Sequence, residues 1–212
     1  RKLSITSEEA LGANVSHDHS YSARSPKIRI EALEDLLVEK GLVDRSRVDN
    51  LIQKFETDVG PMIGAQLVAR AWTDPEFRNR LLDDADDVLS KENISGAEIE
   101  HVEVKANEPG VHNVVVCTLC SCYPWALLGL PPSWYKSPEY RSRVVREPRK
   151  VLAEMGLDLD EETKLQVWDS SSETRFLVLP ERPSGTENFS VAELAALVTR
   201  DSMIGVARAE TL

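Results

Sequence analysis

All three cysteines of this chain fall within six residues, Cys117-Thr118-Leu119-Cys120-Ser121-Cys122, and the rest of its 212 residues hold none. That clustering limits what the chain can fold into. Disulfide frameworks spread their cysteines along the sequence and usually carry an even number. No covalent staple is therefore expected, and the fold must rest on a buried apolar core. The chain is long enough for one good-sized domain and a smaller appendage without such staples. Hydrophobic residues at 42% and charged residues at 29% are those of a soluble globular protein. The apolar stretches near Val114–Val116 and Trp125–Leu130 are far too short to cross a bilayer, and no charged-then-apolar signal segment opens the chain. No membrane partner is expected, and the local thiolate cluster suggests a cytoplasmic setting. A formal charge of -11 argues against nucleic acid, because phosphate binding requires a basic face.

Residues 1–26 are polar and irregular and are expected to form a flexible tail. His17 and His19 flank an aspartate there, but without further ligands they fix no metal geometry and suit a solvated tail. Residues 27–95 read as a helical N-terminal arm. Ile30, Leu33, Leu36 and Leu37 follow a three-four spacing that Gly41 ends, and Val48, Leu51, Ile52 and Phe55 repeat it up to Gly60-Pro61. Ile63, Leu67, Val68 and Ala71-Trp72 suggest a third helix, and Thr73-Asp74-Pro75 restarts another with proline in the first position. From 96 to 212 strands and helices mix. Strands are expected around His101–Val104, Val114–Cys117, Leu165–Trp168 and Arg175–Leu179, the last two separated by a polar turn at Ser170–Thr174. A helix is expected from Ser137-Pro138 to about Met155, with Gly156 ending it. A last one should run behind the capping-box pair Ser190 and Glu193 through Val198. With no βαβ regularity and no repeat, the fold class is α+β.

The spacing Cys-x-x-Cys-x-Cys admits several chemistries. A redox couple needs two cysteines, so the third is surplus. Structural zinc needs a fourth ligand, and neither His101 nor His112 stands at a zinc-knuckle distance. Three inert buried thiols so close together are improbable by chance. In Cys120-Ser121-Cys122 a metal can instead be gripped by both thiolates and by the backbone nitrogens of Ser121 and Cys122, which closes one six-membered and two five-membered chelate rings in a plane. Cys117 can cap that plane and leave the opposite position open. Deprotonated amides demand a strongly polarising ion. Soft sulfur in square or octahedral geometry points to trivalent iron or cobalt rather than zinc or calcium, and an open position suits a Lewis-acid catalyst.

The stretch Val115-Val116-Cys117-Thr118-Leu119-Cys120-Ser121-Cys122-Tyr123-Pro124-Trp125 resembles the metal-binding signature of nitrile hydratase α subunits. The likeness continues through Leu128–Lys136, Tyr140–Arg149, Glu173-Thr174-Arg175, Leu179–Pro183 and Ile204-Gly205-Val206, with Ala69–Pro75 upstream. It implies a helical arm followed by a four-layer α-β-β-α sandwich, and a low-spin Co(III) or Fe(III) centre held by Cys117, Cys120, Ser121 and Cys122. It further implies oxidation of Cys120 to a sulfinate and Cys122 to a sulfenate. A partner β subunit, one chain or two, would bring arginines to those oxygens. The chain departs from the family at Glu98, where many relatives have glutamine, at Asp84-Ala85-Asp86 in place of Asp-Gly-Thr, and at Ser202 in place of a cysteine.

The activity so implied is addition of water to a nitrile, giving an amide. The metal polarises the nitrile, and either the Cys122 oxygen or a water that it activates attacks the carbon. Cys122, Cys120 and Ser121 are the candidate catalytic residues. Trp125 and Glu98 are the candidate substrate-pocket residues, although Trp125 also suits the core. Thr118 favours cobalt over iron by family correlation. Arg141, Arg143, Arg146 and Arg149 face a partner or form a solvated helix face with ordinary ion pairs. The rival activities are thiocyanate hydrolase, whose metal subunit shares the motif, and a non-catalytic cobalt carrier. The apolar Trp125 favours a neutral nitrile over an anion.

Overall fold

The computed structural model describes residues 26–50, 60–94 and 101–211. The tail with His17 and His19, most of the expected helix around Leu51–Phe55, and Glu98 lie outside the described residues. The chain divides into two compact units, residues 1–48 and 49–212.

In the first unit, helix α1 spans Pro26–Glu39. It ends where the sequence asks it to. Gly41 takes a left-handed φ of 67°, Leu42 N–H donates to the Leu37 carbonyl at 3.0 Å, and Gly41 N–H donates to Val38 at 2.9 Å. This pair of bonds is the Schellman closure that a glycine at this position permits. The stripe residues Ile30, Leu33 and Leu36 are exposed.

In the second unit, helices α2 (Pro61–Thr73), α3 (Pro75–Asp83) and α4 (Ala85–Lys91) precede strands β1 (His101–Ala106) and β2 (Val111–Val116). Asp74 caps α3 by accepting from Phe77 N–H at 2.9 Å, with Pro75 in the first turn. Next come α5 (Trp125–Leu128), a 3₁₀ turn (Ser133–Lys136), α6 (Pro138–Arg143), α7 (Pro148–Glu154), β3 (Lys164–Asp169), β4 (Thr174–Leu179), α8 (Val191–Ala196) and α9 (Arg200–Ile204).

One expected element is divided, and another is followed by a helix that was not expected. The helix expected from Ser137 to Met155 breaks between α6 and α7 because Pro148 has no N–H and forces Glu147 out of the helical region, at φ −138°. The last expected helix stops at Ala196, and Thr199 then opens α9 with a capping box of its own on Ser202.

Strands pair parallel in two nested ribbons. β1 lies beside β4, from His101 opposite Thr174 to Ala106 opposite Leu179. β2 lies beside β3, from Val111 opposite Lys164 to Val116 opposite Asp169. Parallel pairing requires long crossovers, so the polar turn after β3 joins strands of different ribbons rather than closing a hairpin. Val114, Val116, Leu177 and Val178 of β2 and β4 are fully buried and share one core with α2–α4. Helix α9 packs on both β2 and β4. The approach is so close that a Cβ at Gly205, just past α9, would sit 2.0 Å from the Asn113 carbonyl. This packing carries the C-terminal end of β2 to the cysteines.

Candidate metal centre

The buried run Val114–Val116 delivers Cys117, itself fully buried, at the end of β2. The chain then turns outward. Leu119 is 87% exposed, Cys120 is exposed and Cys122 is half-buried. The three sulfurs all lie within 4.8 Å of one another. Cys117 Sγ is 3.4 Å from Cys120 Sγ, and Cys120 Sγ is 2.8 Å from Cys122 Sγ. Cys120 N–H donates back to Cys117 Sγ at 3.2 Å. Ser121, between the two outer cysteines, holds φ 157°, a backbone angle that residues with a Cβ seldom adopt.

Elements distant in sequence fasten this loop. Asp169, the last residue of β3, accepts from Thr118 N–H at 2.8 Å and from Thr118 Oγ1 at 2.6 Å. Tyr135, fully buried, donates its hydroxyl to the Cys122 carbonyl at 2.9 Å. Tyr140 donates to the Val115 carbonyl at 2.7 Å, just upstream of the cysteines. Arg141 Nη1 donates to the Cys120 carbonyl at 2.7 Å. Burial pushes the phenols of Tyr135 and Tyr140 well above the ordinary tyrosine range, so both remain protonated donors.

The outer thiols are electrostatically unlike. Hydrogen bonding from Cys122, then from Cys117 and the Ser121 backbone, lowers the Cys120 thiol to about 7. Burial first, and then the bond to Cys120, pushes Cys122 up to about 12, against the opposing pull of the Arg175 charge. One thiolate thus forms easily and its neighbour resists the second charge, which is the expected behaviour of like charges sharing a site. A cation placed among the three sulfurs would relieve that repulsion.

The sulfur spacing tests what such a cation would be. With metal–sulfur bonds of about 2.3 Å, a tetrahedral angle separates two sulfurs by roughly 3.8 Å and a right angle by roughly 3.3 Å. The 3.4 and 2.8 Å separations are both shorter than a tetrahedral ion would hold, and the second is shorter than a right angle gives as well. Neither histidine considered for a zinc site joins the cluster. His112 is buried, with Nε2 2.8 Å from the Gly205 carbonyl and Nδ1 3.2 Å from Asn107. His101 pairs with Asp86.

Of the expected pocket residues, Trp125 opens α5, half-buried and packed on the core three residues beyond Cys122. Three of the four arginines of the expected helix diverge in role. Arg143 pairs with Glu147 and Glu154, and Arg149 binds the carbonyls of Leu159, Asp160 and Thr163, so both are spent within the chain. Arg141 reaches the cysteine loop. No arginine adjoins that loop in sequence, yet the fold brings Arg141 and Arg175 to it. Sequence reasoning missed Asp169, Tyr135 and the special place of Arg141. No local pattern marks them.

A unit of mixed helices and parallel strands that presents three convergent sulfurs at a strand end defines a thiolate metal-centre protein. The comparisons specify which. The family model for the nitrile hydratase alpha chain matches residues 24–207, and the chain belongs to that family. It is 54% identical over 178 residues to the low-molecular-weight cobalt-containing nitrile hydratase subunit alpha of Rhodococcus rhodochrous, covering 84% of this chain and 86% of that one. It is 43% identical to the thiocyanate hydrolase subunit gamma of Thiobacillus thioparus, covering 83% of this chain and 76% of the relative. Among solved structures, a double mutant of the Fe-type nitrile hydratase from Comamonas testosteroni Ni1 superposes with a TM-score of 0.79 at 44% identity, covering 87% of this chain and 90% of that one.

Proposed function

We propose that this chain is the metal-carrying α subunit of a cytoplasmic nitrile hydratase, working with a β partner and hydrating nitriles to amides at a low-spin Co(III) centre. The observation that carries the reading is the convergence of the three sulfurs within 4.8 Å of one another at the end of a buried strand, and the kinship with a cobalt-containing enzyme supports the choice of ion. Cys117, Cys120 and Cys122 would hold the metal through sulfur, and Ser121 and Cys122 through backbone nitrogen. The bound ion supplies Lewis acidity that leaves the nitrile carbon electron-poor.

The chain's own residues do the rest. Cys120 as a sulfinate and Cys122 as a sulfenate would donate more weakly through sulfur than plain thiolates. The Cys122 oxygen, on a residue whose backbone carbonyl accepts from Tyr135, adds to the nitrile carbon and is then displaced by water as the amide forms, or it takes a proton from the water that adds, and that proton passes on to the nitrile nitrogen. Trp125 offers a neutral aromatic wall, and Glu98 an acceptor for larger nitriles. The scaffold is read as four layers. Helices α3 and α4 lie on β1, the two ribbons meet through β2 and β4, and α7 lies on β3.

Kinship with a thiocyanate hydrolase subunit keeps a second substrate in view. An anion would gain from a cationic wall, which Trp125 is not. The test uses the complex assembled with its β partner and loaded with cobalt, assayed on aliphatic nitriles, aromatic nitriles and thiocyanate. Nitriles should show the higher kcat/KM, and Trp125→Arg should move the balance toward thiocyanate. A higher kcat/KM for thiocyanate than for every nitrile overturns the substrate assignment. Peptide mapping of active enzyme that finds three plain thiols overturns the oxidised-cysteine reading.

A further inference from the structure

We propose that Arg141 is a positioning residue for metal binding, holding the carbonyl of the one peptide that lies between the sulfur of Cys120 and the nitrogen of Ser121. The inference rests on the metal-centre reading above and adds a residue that reading did not contain. Its starting point is a single bond, Arg141 Nη1 to the Cys120 carbonyl at 2.7 Å, at the short end of the range for a charge-assisted N–H···O contact.

That oxygen is not an arbitrary acceptor. The Cys120 carbonyl and the Ser121 nitrogen belong to one conjugated O–C–N unit. When the nitrogen binds a metal as an anion, its charge is shared with the carbonyl oxygen. A guanidinium fixed at that oxygen stabilises the charge and orients the peptide plane, so that the nitrogen faces the position between the two outer sulfurs. Rotation of this plane matters here because Ser121 already holds φ 157°, and an unheld loop would relax from it.

The placement of Arg141 is well determined. It lies on α6, whose first turn is capped by Ser137 accepting from Tyr140 N–H at 3.1 Å. Tyr140, the preceding residue, is anchored by its hydroxyl to Val115 on β2. Neighbouring residues of one short helix therefore grip the strand that leads into the site and the peptide at its centre. The guanidinium Nε is buried and has no hydrogen-bond partner among the described residues. The side chain gives up solvent contact there, and its one gain among these residues is the loop carbonyl. Arg143, two residues on, is saturated by Glu147 and Glu154 instead.

The experiment uses the α–β complex expressed with cobalt, as wild type, R141K and R141A. Three quantities are read: cobalt retained per α chain after a chelator challenge, the energy of the sulfur-to-metal charge-transfer absorption, and the melting temperature of the metal-free complex. R141A should retain at least about ten-fold less cobalt, the scale typical of lost outer-shell partners. Its residual metal should show a displaced absorption band, and its metal-free melting temperature should stay near that of wild type. R141K, which keeps a cationic donor, should recover much of the retention. R141A that loads and absorbs like wild type overturns the assignment. So does an equal loss in R141K and R141A matched by a lower metal-free melting temperature, since that marks a merely structural residue. Wild type that purifies without cobalt or iron overturns the metal-centre reading itself, and the two failures are thereby distinguished.

Discussion

Tyr135→Phe should loosen the end of the cysteine loop while leaving the core around it in place. The ring of Tyr135 is fully buried and packs edge-on against Tyr123 at 5.1 Å and Trp134 at 6.0 Å, contacts that phenylalanine preserves. Only the hydroxyl is lost, and with it the 2.9 Å bond to the Cys122 carbonyl. A neutral hydrogen bond contributes about 1 kcal/mol net, and a partly buried acceptor left without its donor costs about 1–3 kcal/mol. A loss of about 1–2 kcal/mol is therefore expected. In a chain of this size each kcal/mol moves the melting temperature by about 2–4 °C, so the drop should be roughly 2–8 °C. Tyr140→Phe is the matched control, because it removes an equally buried hydroxyl from the Val115 carbonyl at 2.7 Å, upstream of every proposed ligand. Calorimetry of the assembled complex should show similar losses for both variants. Metal release into a chelator should quicken only in Tyr135→Phe, whose lost bond ends on a proposed ligand residue. An unchanged melting temperature in Tyr135→Phe, or equally fast release from Tyr140→Phe, would refute the reasoning.

Gly205→Ala places a Cβ 2.0 Å from the Asn113 carbonyl at φ +89°, so little folded protein should accumulate. Gly110→Ala, at φ +80° with open space around it, should cost only about 1–2 kcal/mol of backbone strain in a denaturant titration. Asp169→Ala removes both acceptors of Thr118 at an exposed position, which should lower stability by only about 1 kcal/mol yet slow cobalt incorporation, measured as metal content against time. His112 is held neutral by burial, which lowers its pKa in the folded state. The unfolded imidazole titrates near 6.5, so this contribution is fully present above that pH and is lost as pH falls below it. His101, raised by its bond to Asp86, has the opposite sign, but it is exposed and its effect is screened. The fall in stability from about pH 7 to 5 should be shallower in His112→Gln, and parallel curves for the two proteins would count against the assignment.

Much of the fold was legible because its signals are local. Gly41, Asp74-Pro75 and Ser190–Glu193 end or begin helices through contacts spanning a few residues, and the β-branched run before Cys117 states its own burial. Pro148 was equally visible and should have divided the arginine-rich helix, since the residue before a proline leaves the helical region. Strand pairing was not legible. The register of β2 against β3 joins residues more than fifty apart, and no periodicity within either strand names its partner.

The metal centre divides along the same line. Its proposed ligands are contiguous, so the chelate rings can be counted from the sequence, whereas the groups that hold the loop arrive from β3, the 3₁₀ turn and α6. Charge shows why the distant groups matter. Three thiolates and two amide anions around a trivalent ion leave an excess of roughly two negative charges, in a chain already at -11. Buried charge left uncompensated is costly. Arg141 places a cation at the Cys120 carbonyl, and Arg175 acts on Cys122 through its field. Oxygens added to Cys120 and Cys122 would call for cations aimed at the sulfurs themselves, on the face where those two residues meet solvent. That exposed face is where a partner subunit can complete both the charge balance and the pocket. The loop therefore presents its reactive sulfurs outward while its backbone is fastened from within.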